Sequence, residues 1–255
     1  MHCVAFIPAR MGSTRFPNKP LADIHGLPML LHVALRTRLC TALADTIVAT
    51  CDACIAQVCA SHGIQYIMTS PTHERCSDRV AEAMLAYEKQ TGNRVDIALM
   101  VQGDEPMVTP SMIDAALAPL LADPAVPVVN LMAALPSVAA FEDPNEVKVV
   151  VDKQNNALYF SREPVPSRKK GASIVPMRKQ VCIIPFRREA LLHFTALPEG
   201  ELERAESIDM LRFLENGYPV RMVLVQEISH SVDTPQDLAT VRALMANDPL
   251  RQRYE

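Results

Sequence analysis

Three cations, Arg10, Arg15 and Lys19, stand close together near the start of the chain, interleaved with Gly12, Ser13 and Thr14. They follow "CVAFIPA", a continuous apolar run that predicts a buried strand. A loop of small residues presents backbone N–H groups, and with fixed cations beside them it holds phosphate oxygens. Asp104, in "VQGDEP", and Asp233, in "SHSVDTPQD", follow two further strand-like runs. Carboxylates suit Mg²⁺, which takes one or two of them and completes its shell from phosphates and water. Arg10, Arg15 and Lys19 with Asp104 and Asp233 therefore compose a nucleoside-triphosphate–Mg²⁺ site. The chain contains neither G-x-x-x-x-G-K-[ST] nor G-x-G-x-x-G, so this is not a P-loop or a dinucleotide fingerprint. Taken singly, the loop cations describe a solvated face, Asp104 and Glu105 a turn, and Asp233 a helix cap. Their convergence carries the reading.

That convergence requires elements that bring distant residues to one rim. Strand-like runs alternate with helical ones through the first half: "HCVAFIPA", "PMLLHVALRTRLC", "DTIVATC", "ACIAQVCASHG" ending at Gly63, "IQYIMTS", "SDRVAEAMLAYEKQ", "VDIALMVQGD", "SMIDAALAPLLA" and "VPVVNLMAAL". This order predicts an α/β fold, a mostly parallel, doubly wound, Rossmann-like sheet. Ligands of such sheets bind outside the carboxyl ends of the strands. At those ends stand the Arg10–Lys19 segment, Cys51-Asp52, then His73, Arg75, Ser77 and Arg79, and finally Gln102 to Glu105. In the second half, "EVKVVVDKQNNALYFSR" predicts a β-hairpin and "EPVPSRKKGASIVPMRKQ" a loop. "VCIIPF" follows as a strand, "REALLHFTAL" and "ESIDMLRFLENG" as helices, "YPVRMVLVQEI" as a strand and "TPQDLATVRALMA" as a helix. The expectation is one domain over 1–255, with the hairpin and basic loop at 146–190 as an insertion.

Composition narrows the class. The 255 residues are 49% hydrophobic and carry a formal charge of −4, which leaves no basic field to attract nucleic acid. No apolar run reaches the ~20 residues of a membrane span and no signal-peptide pattern opens the chain, so a cytoplasmic protein without membrane contact is expected. The seven cysteines include Cys51-x-x-Cys54, but no second pair follows at a zinc-site interval. They read as small buried hydrophobes, with Cys51, Cys54 and Cys76 partly accessible.

"IPARMGSTRFPNKPLADIHGLPML" resembles the opening signature of the cytidylyltransferases that make CMP-3-deoxy-manno-octulosonate (CMP-Kdo). "VQGDEPM", "DPNEVKVVVDKQNNALYFSREPVP" and "SVDTPQDLATVRALM" match that family in the same order, from about Val4 to Met245. The resemblance implies a nucleotidyltransferase fold and CMP transfer from CTP to an acidic acceptor, with release of pyrophosphate. It also implies Mg²⁺ at Asp104 and Asp233, and catalytic roles for Arg10, Lys19, Asp104 and Asp233. The nucleotide would meet Ala9, Arg10, Gly12, Ser13, Arg15, Lys19, Ser77, Arg79 and Gln102. The acceptor would meet Gln102, Arg162, Gln180 and Asp209. A homodimer formed through the hairpin insertion is implied as well.

The chain departs from the family where the sugar is recognised. S-G-T-E-R is here Arg75-Cys76-Ser77-Asp78-Arg79, and L-E-Q-L-R is Ile208-Asp209-Met210-Leu211-Arg212. H-[LI]-G-I-Y-[GA]-Y is "QVCIIPF", with Gln180 or Val181 in place of His and both tyrosines lost, to Pro185 and a shifted Phe186. The loop before it gains Arg168, Lys169, Lys170, Arg178 and Lys179. These changes raise the alternative of a smaller anionic acceptor such as a phosphonate. A protein that binds nucleotide without turnover is a further alternative, opposed by the retained Asp104 and Asp233.

Overall fold

In the computed structural model all seven residues of β1 (Cys3–Ala9) are buried, as befits a parallel strand covered on both faces. The structure describes residues 1–12, 16–169, 174–227 and 229–254. Contacts divide it into two units, Met1–Asp114 with Ile228–Glu255, and Ala115–Glu227.

The chain continues from β1 through a short antiparallel pair, β2 (Asp23–Ile24) and β3 (Leu27–Pro28), to α1 (Met29–Arg38). Then come β4 (Asp45–Thr50), α2 (Ala53–Ser61), β5 (Gln65–Met68), α3 (Cys76–Thr91), β6 (Ile97–Val101) and α4 (Pro110–Ala122). In the first unit β6, β1, β4 and β5 lie side by side in that order, every pairing parallel. Phe6 stands in register with Ile47 on one side and Met100 on the other. The expected mostly parallel α/β architecture is present.

Helical periodicity explains α3. Val80, Ala83, Met84 and Tyr87 are buried, three and four residues apart on one face. The helix stops where Gly92 takes φ +74°, a conformation that costs glycine little. Tyr87 packs edge-on against Phe6, ring centroids 6.1 Å apart, and its hydroxyl donates to Asp45 Oδ2 at 2.5 Å. Burial first, then Asp45, push the phenol up to about 12. A phenol with a native pKa above its unfolded value near 10 stabilises the fold fully below that value and loses the contribution as pH rises towards 12. Tyr87→Phe lacks the titrating group, so its stability deficit against wild type in urea unfolding is expected to shrink from about pH 9 to about pH 11. A constant deficit would contradict this.

The second unit contains β7 (Val129–Ala134), α5 (Val138–Glu142), β8 (Lys148–Val151), β9 (Ala157–Ser161), β10 (Arg178–Val181) and β11 (Ile183–Arg187). It ends with α6 (Arg188–Ala196), α7 (Glu201–Glu206), α8 (Leu211–Glu215) and β12 (Arg221–Val225). Its sheet has the order β12-β7-β10-β8-β9, parallel between β12 and β7 and antiparallel elsewhere. The expected hairpin is β8–β9. Asp152 closes its turn by accepting from the backbone N–H groups of Gln154 and Asn156, both at 2.8 Å, and Asn155 sits at φ +61°. Two expectations need correction. The helix expected over "ESIDMLRFLENG" is divided, because Ser207 at φ +54° ends α7 before α8 begins. The strand expected at "VCIIPF" is interrupted at Cys182, which separates β10 from β11.

The chain ends in the first unit with α9 (Pro235–Met245). Thr234 and Asp237 form a reciprocal capping box and Pro235 occupies the first turn. The apolar face of α9, Leu238, Val241 and Met245, packs with Ile24, Met29 and Val232. Among the described residues no helix is long and apolar enough to cross a membrane.

Candidate active site

Strand order locates the site. From β1 the sheet extends through β4 to β5 on one side, and β6 pairs on the other, so the direction of winding reverses between β1 and β6. Crevices at such switch points, outside the carboxyl ends of the strands, are where open α/β sheets bind ligands. A cavity of about 280 Å³ opens there. Ala9 at the end of β1, with Arg10 and Gly12 just beyond it, lines one side, and Gln102, Gly103 and Asp104 line it from beyond β6. Lys19, Pro20, Met29 and Cys76 complete much of the remaining wall.

Each polar group is held by local structure. Met11 N–H donates to Asp52 Oδ2 at 2.8 Å, tying the loop after β1 to the end of β4. Asn18 adopts a left-handed conformation, φ 60°, which asparagine tolerates better than most residues. It leads into a single 3-10 turn, Lys19–Leu21, with Pro20 early in that turn. Lys19 Nζ lies 2.6 Å from Asp104 Oδ2 and 3.2 Å from Asp233 Oδ1. The packing of α9 on Ile24 and Met29 carries Asp233 to this position, and Val232 N–H donates to the Asp104 carbonyl at 3.0 Å. Burial lowers the affinity of Lys19 for its proton, but Asp104 and Asp233 outweigh it and the pKa is raised. Glu105 has a different role from its neighbour: it is buried, and accepts from Ser229 Oγ at 2.7 Å.

Gly103 permits the close approach of the two strand ends. A Cβ there would stand 3.0 Å from the Pro8 carbonyl oxygen and 3.3 Å from Leu30 Cδ1. Gly103→Val is expected to displace the turn that carries Gln102 and Asp104, to destabilise by about 1–3 kcal/mol and to weaken nucleotide binding at the cavity. Thermal unfolding and nucleotide titration measure both, and wild-type values in each would contradict the assignment.

The structure thus brings together Ala9, Arg10, Gly12, Lys19, Gln102, Asp104 and Asp233. Ser13 and Arg15 lie outside the described residues. Ser77 is fully buried, and Arg79 donates to Thr69 Oγ1 at 2.5 Å and to the Ser70 and His73 carbonyls at 3.2 Å, bracing the loop before α3. Arg162, Gln180 and Asp209 belong to the second unit. There Gln180 Nε2 donates to Asn130 Oδ1 at 2.6 Å. Cys76, expected from the sequence to be partly accessible, is half-buried, and the structure places it on the cavity wall as the first residue of α3. Its position beyond a strand end was the available signal. The added basic residues are partly neutralised, Arg168 by Glu142 at 3.3 Å and Lys179 by Glu146 at 3.0 Å.

The donor set suits a divalent cation. Asp104 and Asp233 already converge on one cationic atom, Lys19 Nζ, and two carboxylates are what Mg²⁺ takes from protein when phosphates supply the rest.

A family model described as Cytidylyltransferase matches residues 4–228. A 3-deoxy-manno-octulosonate cytidylyltransferase of Syntrophotalea carbinolica is 41% identical over 251 residues, 95% of this chain and 98% of that protein. An Escherichia coli protein of the same name is 41% identical over 245 residues, 96% of each chain. The solved structure of a CMP:2-keto-3-deoxy-manno-octonic acid synthetase complexed with CTP is 40% identical and superposes with a TM-score of 0.87, covering 96% of this chain and 99% of that one.

Proposed function

Since the chain belongs to the 3-deoxy-manno-octulosonate cytidylyltransferase family of nucleotidyltransferases, we propose that it transfers CMP from CTP to Kdo and releases pyrophosphate. The observation that carries this reading is Lys19 bridging Asp104 and Asp233 at the cavity beyond β1 and β6.

In the reaction an acceptor hydroxyl oxygen attacks the α-phosphorus in line. The bond from that phosphorus to the β-phosphate bridging oxygen breaks, and pyrophosphate leaves. Arg10 and Lys19 face the triphosphate and neutralise its oxygens, while the backbone of the Gly12 loop adds N–H donors. Asp104 and Asp233 would hold Mg²⁺, which supplies charge neutralisation on the phosphates and a more acidic acceptor hydroxyl. Gln102, which lines the cavity, would contact base or acceptor. The protein's part is to orient the reacting groups and offset charge, which is how phosphoryl and nucleotidyl transfers are accelerated. Ser13 and Arg15 are assigned to the triphosphate, Ser77 to the nucleotide, and Arg162, Gln180 and Asp209 to the acceptor, by resemblance. Arg79 acts by bracing the loop from Thr69 to His73. A homodimer built through β8–β9 belongs to the same proposal.

The phosphonate alternative is not favoured. Arg168 and Lys179, two of the cations that suggested it, are engaged by Glu142 and Glu146, and the curated relatives share the Kdo name along nearly the whole chain. Pyrophosphate release, measured with CTP, UTP, ATP or GTP against Kdo or a small alkylphosphonate, tests the assignment. Turnover is expected with CTP and Kdo. A preference for the phosphonate, or for another base, would overturn it.

A further inference from the structure

Lys148, the first residue of β8, is wholly buried, and no step above uses it. A buried ammonium costs several kcal/mol of solvation unless its donors are satisfied, and a methionine of similar length would avoid that cost. Here the donors meet two backbone carbonyls, that of Asp143 at 2.8 Å and that of Arg162. Burial lowers the pKa of Lys148, opposed by Asp143, Glu146 and Glu163. A neutral amine keeps two N–H donors, one for each carbonyl, so both hydrogen bonds outlast deprotonation.

Arg162 is gripped from the other side by Glu206, the last residue of α7. The Glu206 carboxylate accepts from Arg162 N–H at 2.8 Å, from Ser161 Oγ at 2.9 Å and from the Tyr159 hydroxyl at 3.2 Å. Its carbonyl accepts from Arg162 Nε at 2.7 Å, and the Pro144 carbonyl accepts from Nη1 at 3.0 Å. Both backbone groups of residue 162, and its Nε and Nη1, are therefore fixed by the 143–148 stretch and by Glu206. A guanidinium held in this way meets a carboxylate with little further loss of entropy.

We propose that Lys148 and Glu206 are positioning residues for the acceptor: they preset Arg162 to receive the carboxylate of a 2-keto acid. This rests on the reading of Arg162 as an acceptor contact in CMP transfer. It goes beyond that reading by assigning the buried lysine and the α7 glutamate a part in specificity.

The test uses the full-length enzyme with Lys148→Met, Glu206→Gln and Arg162→Ala, measuring KM for Kdo and for CTP. It also measures the preference for Kdo over its carboxyl methyl ester. Lys148→Met and Glu206→Gln are each expected to raise KM for Kdo about tenfold, to leave KM for CTP within about twofold, and to erode the preference for the free acid. Residues that merely support the fold would alter both KM values together, and that result, or an unchanged KM for Kdo, would overturn the proposal. Should Lys148→Met fail to fold, Glu206→Gln decides by the same readouts. Arg162→Ala separates the premises. If it leaves KM for Kdo unchanged, Arg162 is not an acceptor contact and the proposal falls with it. If it raises KM while the other two variants do not, the positioning claim alone fails. No turnover of Kdo by wild type would instead overturn the assignment of function.

Discussion

Asp104→Asn is expected to reduce kcat for pyrophosphate release by about 10³-fold while the protein stays folded. The substitution keeps the shape of the side chain and removes its charge. Asp104 is the nearer of the two partners of Lys19, at 2.6 Å against 3.2 Å for Asp233, so it contributes most to holding that ammonium at the cavity. It is also one of the two carboxylates proposed to hold Mg²⁺, so on that proposal the variant loses negative charge where the metal would sit and loosens the cation proposed to meet phosphate. CTP affinity without metal is expected to change far less than kcat, since Arg10, Gly12 and Gln102 remain on the wall. Steady-state kinetics with direct nucleotide titration separates the two quantities. A kcat within about tenfold of wild type would remove Asp104 from the catalytic set.

Lys19→Met is the second large effect. It removes a cation whose side chain is only 15% exposed and leaves Asp104 and Asp233 facing one region of the cavity without the ammonium between them. On the proposed reaction, triphosphate binding and transition-state charge both depend on that cation, so kcat/KM for CTP is expected to fall about 10²- to 10³-fold, with KM raised as well as kcat lowered. Lys19→Arg keeps the charge but presents a planar fork in place of a compact ammonium, and is expected to recover part of the loss. Equal kcat/KM in Lys19→Met and wild type would show that the ion pair is structural alone.

The parts of this protein that were readable from sequence share a physical property: their determinants are local. The buried run of β1, the spaced apolar residues of α3 and the Thr-Pro start of α9 each fix an element within a few residues. Nothing local marks Ser207 as left-handed or the break at Cys182, and α5 spans only five residues, too short for a helical period to register. The site followed the same division. The cluster at Arg10 and Lys19 is visible as a cluster, and Asp104 and Asp233 as carboxylates that follow strand-like runs. That these two meet at one ammonium depends on β6 pairing beside β1 and on α9 packing against Ile24 and Met29. The direction of a side chain was equally hidden. Asp104 and Glu105 are adjacent, yet one meets Lys19 and the other Ser229, and Arg79 turns to its own loop. Cations counted as an anion-attracting loop included Arg168 and Lys179, whose partners on Glu142 and Glu146 only the fold reveals.

Following the phosphorus itself is the most direct test of nucleotidyl transfer at the cavity beyond β1 and β6. Purified wild-type enzyme is incubated with Mg²⁺, Kdo and CTP labelled at either the α- or the γ-phosphate, with Asp104→Asn in parallel. The expected result is α-label in a CMP–Kdo ester and γ-label in pyrophosphate from wild type, with both nearly absent from the variant. Wild-type γ-label released as inorganic phosphate, or an Asp104→Asn variant that forms the ester at the wild-type rate, would contradict it.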